Sequence, residues 1–323
     1  MITLVTGATG FIGSQLIEQL LARKENLVYA LVRNPAKLSC LSRSDNLVLL
    51  KGDLLSLPPI PADCEVIFHL GGVTKAPKPD DYYTVNHLGT ASLLKKLEVS
   101  GITPKFVHLS SLAAGRPSLR GELVKEDEPP SPASPYGKSK LLAEQEVLKY
   151  KDRFQVVILR AAAIYGPRDR DFLQLFQTIK KGWLPVFTRR VVMSLCYVDD
   201  LIRAMTLSSS RELKSGEIYN VADPQPRTWE EIGTEAARIL GRQVRKIKIP
   251  LWAVKTAAGV SELTSRISGQ PSPLNLSKYQ DLEKLSWTAD VNKIKRDLGF
   301  ETRWDFSQAL EETISWYEKN GWL

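Results

Sequence analysis

The sequence predicts an α/β protein built on a doubly wound parallel sheet, with a smaller, irregular α/β module towards the C-terminus. Three observations predict it. Short β-rich runs alternate with longer helical patterns through the first half of the chain. Those runs are mostly continuous in apolar residues, as strands buried on both faces must be. Three glycines, Gly7, Gly10 and Gly13, separate the first run from the first helical pattern.

The strands are predicted at 2–5 (ITLV), 27–32 (LVYALV), 47–52 (LVLLKG), 65–70 (EVIFHL), 105–110 (KFVHLS) and 155–160 (QVVILR). Helical patterns fall at 11–24, 81–99 and 136–150. Right-handed crossovers then gather the C-terminal ends of the strands along one edge, where ligands bind. Beyond about residue 165 the pattern loosens. Short strands are expected near 192–197 and 216–221, with helices near 171–181, 199–210 and 228–240. The tail, 290–320, reads as two helices broken by LGFETRW. The proline-bearing stretches 129–135 and 269–275 read as loops. This gives a dinucleotide-binding domain over 1–165, completed by returning segments, and a substrate-binding module over 166–323.

The chain has 323 residues, enough for a large core, and a formal net charge of +8. Its Lys and Arg are scattered, without the basic-aromatic stripe of a nucleic-acid binder, so nucleic acid is not expected as a partner. Cys40, Cys64 and Cys196 are too few and too far apart for a disulfide framework, which points to a reducing compartment. The first residues already read as strand and turn, so no signal peptide is expected. No apolar run is long enough to span a bilayer, and the expectation is a soluble cytoplasmic protein. His69, His87 and His108 are unclustered, so no metal site is expected. No G-x-S-x-G elbow is present for a serine hydrolase.

VTGATGFIG places its glycines directly after a strand and before a helix. Gly7 permits the tight turn, Gly10 lets backbone approach a pyrophosphate, and Gly13 lets the helix pack on the sheet. The amides of the first turn, around Thr9, Phe11 and Ile12, and the helix dipole favour an anion. With its G-x-x-G-x-x-G spacing, the chain resembles the extended short-chain dehydrogenase/reductases, which include the NAD-dependent epimerase/dehydratase family. The likeness runs over essentially the whole chain. KGDLL (51–55) is similar to the family stretch whose Asp bonds the adenine, here Asp53 beside Leu54. FHLGG (68–72) resembles its H-L-A-A stretch beside the cofactor, with Gly71 and Gly72 replacing the alanines and Thr74 following as a substrate candidate. VNHLGT (85–90) looks like its V-N-x-x-G-T segment and carries Asn86, and YVDDL (197–201) resembles a further landmark. The resemblance implies a Rossmann fold, a dinucleotide cofactor and a homodimer paired through helices 81–99 and 136–150.

The second strand bears on which dinucleotide. An NAD site usually ends that strand with an acid on the ribose 2′-hydroxyl. Here Val32 holds the position and Arg33 follows, with Lys37 nearby. These cations can pair with a 2′-phosphate, so NADP is preferred, with NAD the alternative.

Tyr136 and Lys140, in SPYGKSK, lie four apart and so share a helix face. A free tyrosine has a pKa of about 10 and is a poor base at neutral pH. A nearby ammonium favours the phenolate, which suits acid/base work. Lys140 would also reach the nicotinamide ribose. The HLSS strand end supplies Ser110 and Ser111. The resemblance implies a Ser-Tyr-Lys triad with Ser111 as its serine, and Asn86 as a structural or relay asparagine.

LRAAAIYGPRDRDFLQLF (159–176) resembles the family segment that meets the substrate. Many nucleotide-sugar enzymes carry an asparagine where this chain has Ala163, and a proline where it has Ala161. Loss of that amide removes one polar handle. Arg168 and Arg170 can serve a pyrophosphate or stand as surface residues. The stretch 250–268 reads as a helix with an apolar face of Leu251, Trp252, Ala258, Leu263 and Ile267, expected to pack in the core or on a second subunit. Its other reading is a lid over a hydrophobic substrate. The expected activity is hydride transfer between the nicotinamide and a carbonyl or secondary alcohol of a relatively apolar small molecule, resembling dihydroflavonol reductases and 3β-hydroxysteroid dehydrogenases. The alternatives are a nucleotide-sugar epimerase or dehydratase with tightly held cofactor, and a non-catalytic NADP sensor.

Overall fold

A computed structural model describes residues 1–38, 44–119, 121–269, 274–284 and 286–323. Cys40 and much of the 269–275 loop lie outside them. Among the described residues the strands are β1 (Ile2–Thr6), β2 (Leu27–Val32), β3 (Leu47–Lys51), β4 (Val66–His69), β5 (Lys105–Ser111), β6 (Val156–Ala161), β7 (Ala163–Tyr165), β8 (Trp183–Phe187), β9 (Val192–Met193), β10 (Leu195–Tyr197), β11 (Glu217–Val221), β12 (Arg227–Thr228), β13 (Arg245–Ile249) and β14 (Ser286–Trp287). The helices are α1 (Phe11–Leu21), α2 (Pro79–Tyr82), α3 (Gly89–Ser100), α4 (Pro135–Leu148), α5 (Asp171–Lys180), α6 (Val198–Ser210), α7 (Trp229–Ile239), α8 (Leu251–Ser268), α9 (Leu276–Glu283), α10 (Asn292–Leu298) and α11 (Phe306–Lys319).

Seven parallel strands form the central sheet in the order β11-β6-β5-β4-β1-β2-β3. The chain winds outward from β1 to β3 and then crosses back to β4 on the other side of β1. That reversal opens a crevice at the strand ends between β1 and β4. Successive residues enter opposite layers, as a period of two requires. Val5, Val107 and Val157 pack with Leu16 and Ile17 of α1 and Leu201 and Met205 of α6. Leu4, Phe106 and Ile158 pack with Leu93, Leu94 and Leu97 of α3 and Val147 of α4. Both faces are dry, which is why these strands read as unbroken apolar runs.

Several elements differ from the sequence prediction. The strand expected near 216–221 is β11, which joins the edge of the central sheet through β6. The helix expected over 81–99 starts at Pro79 and is interrupted by a π-helical turn, Tyr83–Leu88. Asn86 lies in that turn, and such helix irregularities are frequent at functional sites. The ribbon β8–β13 was not anticipated: Pro185 breaks the strand pattern of one, and RKIKI of the other is largely exposed. On α8 the five apolar residues do not share one face. Ala258 is buried, but Trp252, Leu263 and Ile267 are 71%, 60% and 80% exposed, so the expected packing does not occur within the chain.

Candidate active site

The glycine turn follows β1 directly. Gly7 has φ +71°, and a Cβ there would lie 2.8 Å from the Leu70 carbonyl. A Cβ on Gly13 would lie 2.3 Å from the Gly7 carbonyl oxygen, so only glycine lets α1 approach the turn. Gly10 caps α1 with no side-chain hydrogen bond, which leaves the first amides of the helix open to a ligand. Gly7, Thr9, Gly10, Phe11, Ile12 and Gly13 line one wall of a cleft of about 860 Å³. Open amides, a helix N-terminus and close-packed glycines fit a dinucleotide pyrophosphate.

The facing wall is built at the start of α4. Ser134 caps this helix, its Oγ accepting from Gly137 N at 3.0 Å, and Pro135 occupies the first turn. The cap fixes where the helix begins and so presents Tyr136 and Lys140 to the cleft. Ser111 lines the same cleft, its Oγ accepting from Ala113 N at 3.2 Å. Burial pushes Tyr136 up to about 12, the nearby Ser111 hydroxyl works against this, and the Asp281 and Tyr82 charges add to it. The Lys140 ammonium donates to the Leu109 carbonyl at 2.7 Å. Burial lowers its pKa to about 8, against the pull of Glu144. The downward tuning of Tyr136 by Lys140 expected from spacing is therefore not what this arrangement shows: burial dominates both groups.

Ser110 and Ser111 part company at the end of β5. Ser110 is buried and donates to Glu144, which also holds Arg160 in a buried ion pair with a 2.7 Å Nη2–Oε2 contact. Ser111 points the other way, towards Tyr136.

Asn86 is buried, and its amide is fully engaged. Its Oδ1 accepts from Val73 N at 2.7 Å, and its Nδ2 donates to Val73 O at 3.1 Å and to Ser139 Oγ at 2.9 Å. It fixes the loop that carries Thr74, which lines the cleft, to α4. Behind it, His69 bridges Thr6 Oγ1 (2.7 Å) and Thr90 Oγ1 (2.8 Å), and Thr90 donates to the Asn86 carbonyl. Burial lowers His69 to about 3, so the ring is neutral.

Among the remaining sequence candidates, Gly72 and Arg168 line the cleft. Gly71 donates to Thr6 Oγ1 at 2.9 Å behind it. Asp53 Oδ1 accepts from Leu55 N and Ser56 N at 2.9 and 2.8 Å, shaping its own turn, and Leu54 is buried beside Gly71 and Gly89. Arg33 is exposed just past β2, and Lys37 falls in the short 3₁₀ turn Pro35–Leu38. Ala163 is half-buried in β7, while its neighbours Ala161, Ala162 and Ile164 line the cleft. Arg168, at φ +73°, turns onto α1 and donates to Ser14 Oγ at 3.2 Å and Glu18 Oε1 at 2.7 Å.

Sequence reasoning missed three contributions. Asp281 of α9 accepts from Ser134 Oγ at 3.0 Å, and burial pushes its carboxyl up to about 7. Tyr82 packs edge-on against Tyr136, with centroids 5.9 Å apart, and its hydroxyl accepts from Asn275 at 3.0 Å. Asp171, in the cleft, joins Lys75 to Lys278 across its mouth. A pattern search for a buried carboxylate near the tyrosine finds none, because α9 lies far along the chain.

Residues 3–222 match the model of the NAD dependent epimerase/dehydratase family. The chain is 27% identical to the ceramide reductase of Caulobacter vibrioides over 99% of its length and 95% of that protein. It is 31% identical to the 4-hydroxy-2-methyl-3-oxo-4-farnesyl-3,4-dihydroquinoline-1-oxide ketoreductase of Stigmatella aurantiaca, covering 96% of this chain and 95% of that one. The fold is similar to that of the UDP-glucuronic acid 4-epimerase of Bacillus cereus, solved with UDP-glucuronic acid and NAD, with a TM-score of 0.80 at 24% identity over 99% and 100% of the two chains. No helix among the described residues is long and apolar enough to cross a membrane. With the glycine turn, the seven-stranded sheet and these matches together, the chain belongs to the NAD-dependent epimerase/dehydratase family and is an enzyme of that family.

Proposed function

We propose that the protein interconverts a carbonyl and a secondary alcohol on a relatively apolar small molecule, with Ser111, Tyr136 and Lys140 as its working set. The observation that carries this reading is the meeting of Ser111, Tyr136 and Lys140 in the one cleft that also holds the glycine turn. Ala161, Ala162 and Ile164 give that cleft an apolar wall where a sugar or nucleotide would need polar partners. The ceramide and farnesyl-quinoline reductases among the relatives point the same way.

When bound, the nicotinamide supplies or accepts the hydride. The chain's own residues handle the proton. With its pKa near 12, Tyr136 starts protonated at neutral pH and is ready to donate to the substrate oxygen in the direction of reduction. Ser111 holds that oxygen against Tyr136. Lys140 provides a charge and a donor for the ribose hydroxyls, and the Asn86 clamp keeps Thr74 at the cleft wall. Arg33, exposed where Val32 leaves no acid, favours a 2′-phosphate and so NADP over NAD. The reading includes pairing of two copies through α3 and α4.

Turnover of reduced nicotinamide with a panel of apolar ketones tests the redox reading. Tyr136→Phe should abolish turnover while dinucleotide binding persists, and normal turnover in that variant refutes the assignment. Arg33→Ala should weaken NADPH binding more than NADH binding, and a parent preference for NADH overturns the cofactor choice. Gel filtration at half the dimer mass removes the paired assembly. A second reading, a nucleotide-sugar epimerase or dehydratase, is favoured by the family description and by the likeness in fold to the UDP-glucuronic acid epimerase. It is distinguished by dinucleotide that copurifies and by conversion of a nucleotide sugar with no net change in reduced nicotinamide.

A further inference from the structure

Helix α8 is inverted relative to an ordinary surface helix. At 100° per residue, Val254, Ala258, Glu262 and Ser265 form the buried face, which packs on α9 and Phe187. Trp252, Val260, Leu263 and Ile267 form a stripe on the opposite side and are 71%, 60%, 60% and 80% exposed. The side turned to the protein carries a glutamate and a serine, and the side turned to solvent carries a tryptophan and three aliphatics. The ribbon β8–β13 extends this surface. Trp183 and Ile247 share the ribbon face that ends at Phe187 and Ile249 under α8, and they are 42% and 45% exposed.

The charge around the stripe is one-sided. Residues 242–268 contain six basic residues and one acid, Glu262. That acid is buried, where it holds Arg266 at 2.7 Å and accepts from Leu276 N at 3.1 Å. Lys246 pairs with Glu230, whereas Arg242, Arg245 and Lys248 form no ion pair among the described residues. Lys255 borders the stripe and lies over the Tyr279 ring. Exposed apolar side chains with Arg245 on the same ribbon face and Lys255 at the edge of the stripe are complementary to a lipid headgroup layer of negative charge. Two copies meeting through this face would instead bring like charges together, which disfavours self-association.

We propose that α8 and the adjoining ribbon dock the enzyme on an anionic phospholipid surface, with the apolar stripe entering the headgroup region. Helix α8 packs on α9, and α9 touches the site through Ser277 at the Tyr136 amide and through Lys278 at Asp171 on the cleft wall. Docking therefore sets the cleft beside the bilayer, where an apolar substrate is concentrated. The proposal goes beyond the redox reading and does not depend on it, because binding is measured without turnover.

The test is co-sedimentation of the full chain with vesicles of phosphatidylcholine plus phosphatidylglycerol, against vesicles of phosphatidylcholine alone. The parent protein should sediment with the anionic vesicles and be released by salt. Leu263→Gln with Ile267→Gln should weaken partitioning about tenfold or more, from the lost apolar burial. Arg245→Gln, on the ribbon face that carries Trp183 and Ile247, should weaken it about fivefold. Because these side chains are exposed, the unfolding midpoint should not move. Absence of sedimentation with anionic vesicles overturns the proposal. So does equal sedimentation by the Leu263/Ile267 variant. A parent dimer that this variant converts to monomer also overturns it and identifies the face as a contact between copies.

Discussion

The Asn86 carboxamide pairs with the backbone of Val73 in both directions, accepting from its N–H at 2.7 Å and donating to its carbonyl at 3.1 Å. One side chain thus stands in for a neighbouring strand and ties the loop after β4 to the π-helical turn. Asn86 sits within that turn, and Gly72 leaves its carboxamide room.

The first prediction follows from that pairing. Asn86→Asp keeps the acceptor but sets a carboxylate against the Val73 carbonyl, and Asn86→Ala leaves both backbone groups unpaired. Each variant should lose about 1–3 kcal/mol of stability. Gly72→Ala should act in the same direction, because a Cβ there lies 2.9 Å from Asn86 Oδ1. Urea midpoints check all three, and an unchanged midpoint in Asn86→Ala would show that the clamp carries no stability.

Glu144 and Arg160 give a second prediction. Their side chains are 1% and 6% exposed, and Ser110 completes the shell of the carboxylate. Glu144→Ala leaves a guanidinium buried without its counter-charge, a loss of about 3–5 kcal/mol. Replacing both with apolar residues of similar volume should recover much of that loss. The double-mutant cycle, read from denaturant unfolding, measures the coupling. A double variant no more stable than Glu144→Ala contradicts the account.

Much of this was legible because the signals are local. Continuous apolar strands, the Gly7–Gly13 turn and the Ser134–Lys140 helix start each lie within a few residues, and each has a steric or periodic cause. Asp281 was not legible: its partner Ser134 is 147 residues away, and nothing in the sequence of α9 announces a carboxylate turned inward. Periodicity also could not rank the stripes of α8. The pattern gives the helix, but only the position of α9 decides that Ala258 is covered and Ile267 is not. The exposed strand β13 carries lysines and an arginine where a buried strand would carry valines, so its pairing with β8 came from the structure.

Lys140 makes stability depend on pH in the alkaline range. Its pKa falls from 10.5 to about 8 on folding because the ammonium is buried. Between those values the unfolded chain holds more protons, so this residue's contribution to stability rises with pH there. Its penalty is fully present below about pH 8, is gone above about 10.5, and amounts to roughly 3 kcal/mol. Lys140→Met should therefore unfold at higher denaturant than the parent at pH 7, with the gap closing by pH 10.5. A constant gap across that range would show that the lysine is not strained by burial.

Asp281 sets a pH dependence of the opposite sign near neutrality. Burial raises its carboxyl from 3.8 to about 7, against the hydrogen bond from Ser134. Between those values the folded chain holds the extra proton. The contribution is thus most favourable below about pH 4, declines as pH rises, and is fully lost above about pH 7. Asp281→Asn keeps an acceptor for Ser134 and removes the charge. It should be more stable than the parent at pH 8 and should lack the parent's decline between pH 4 and 7. The same change removes an anion that holds the Tyr136 pKa up. The phenol of the Asn variant should then ionise at lower pH, read by ultraviolet difference titration against Tyr136→Phe. A tyrosine titration that does not move would show that the Asp281 charge does not reach the hydroxyl, even if the stability difference is found.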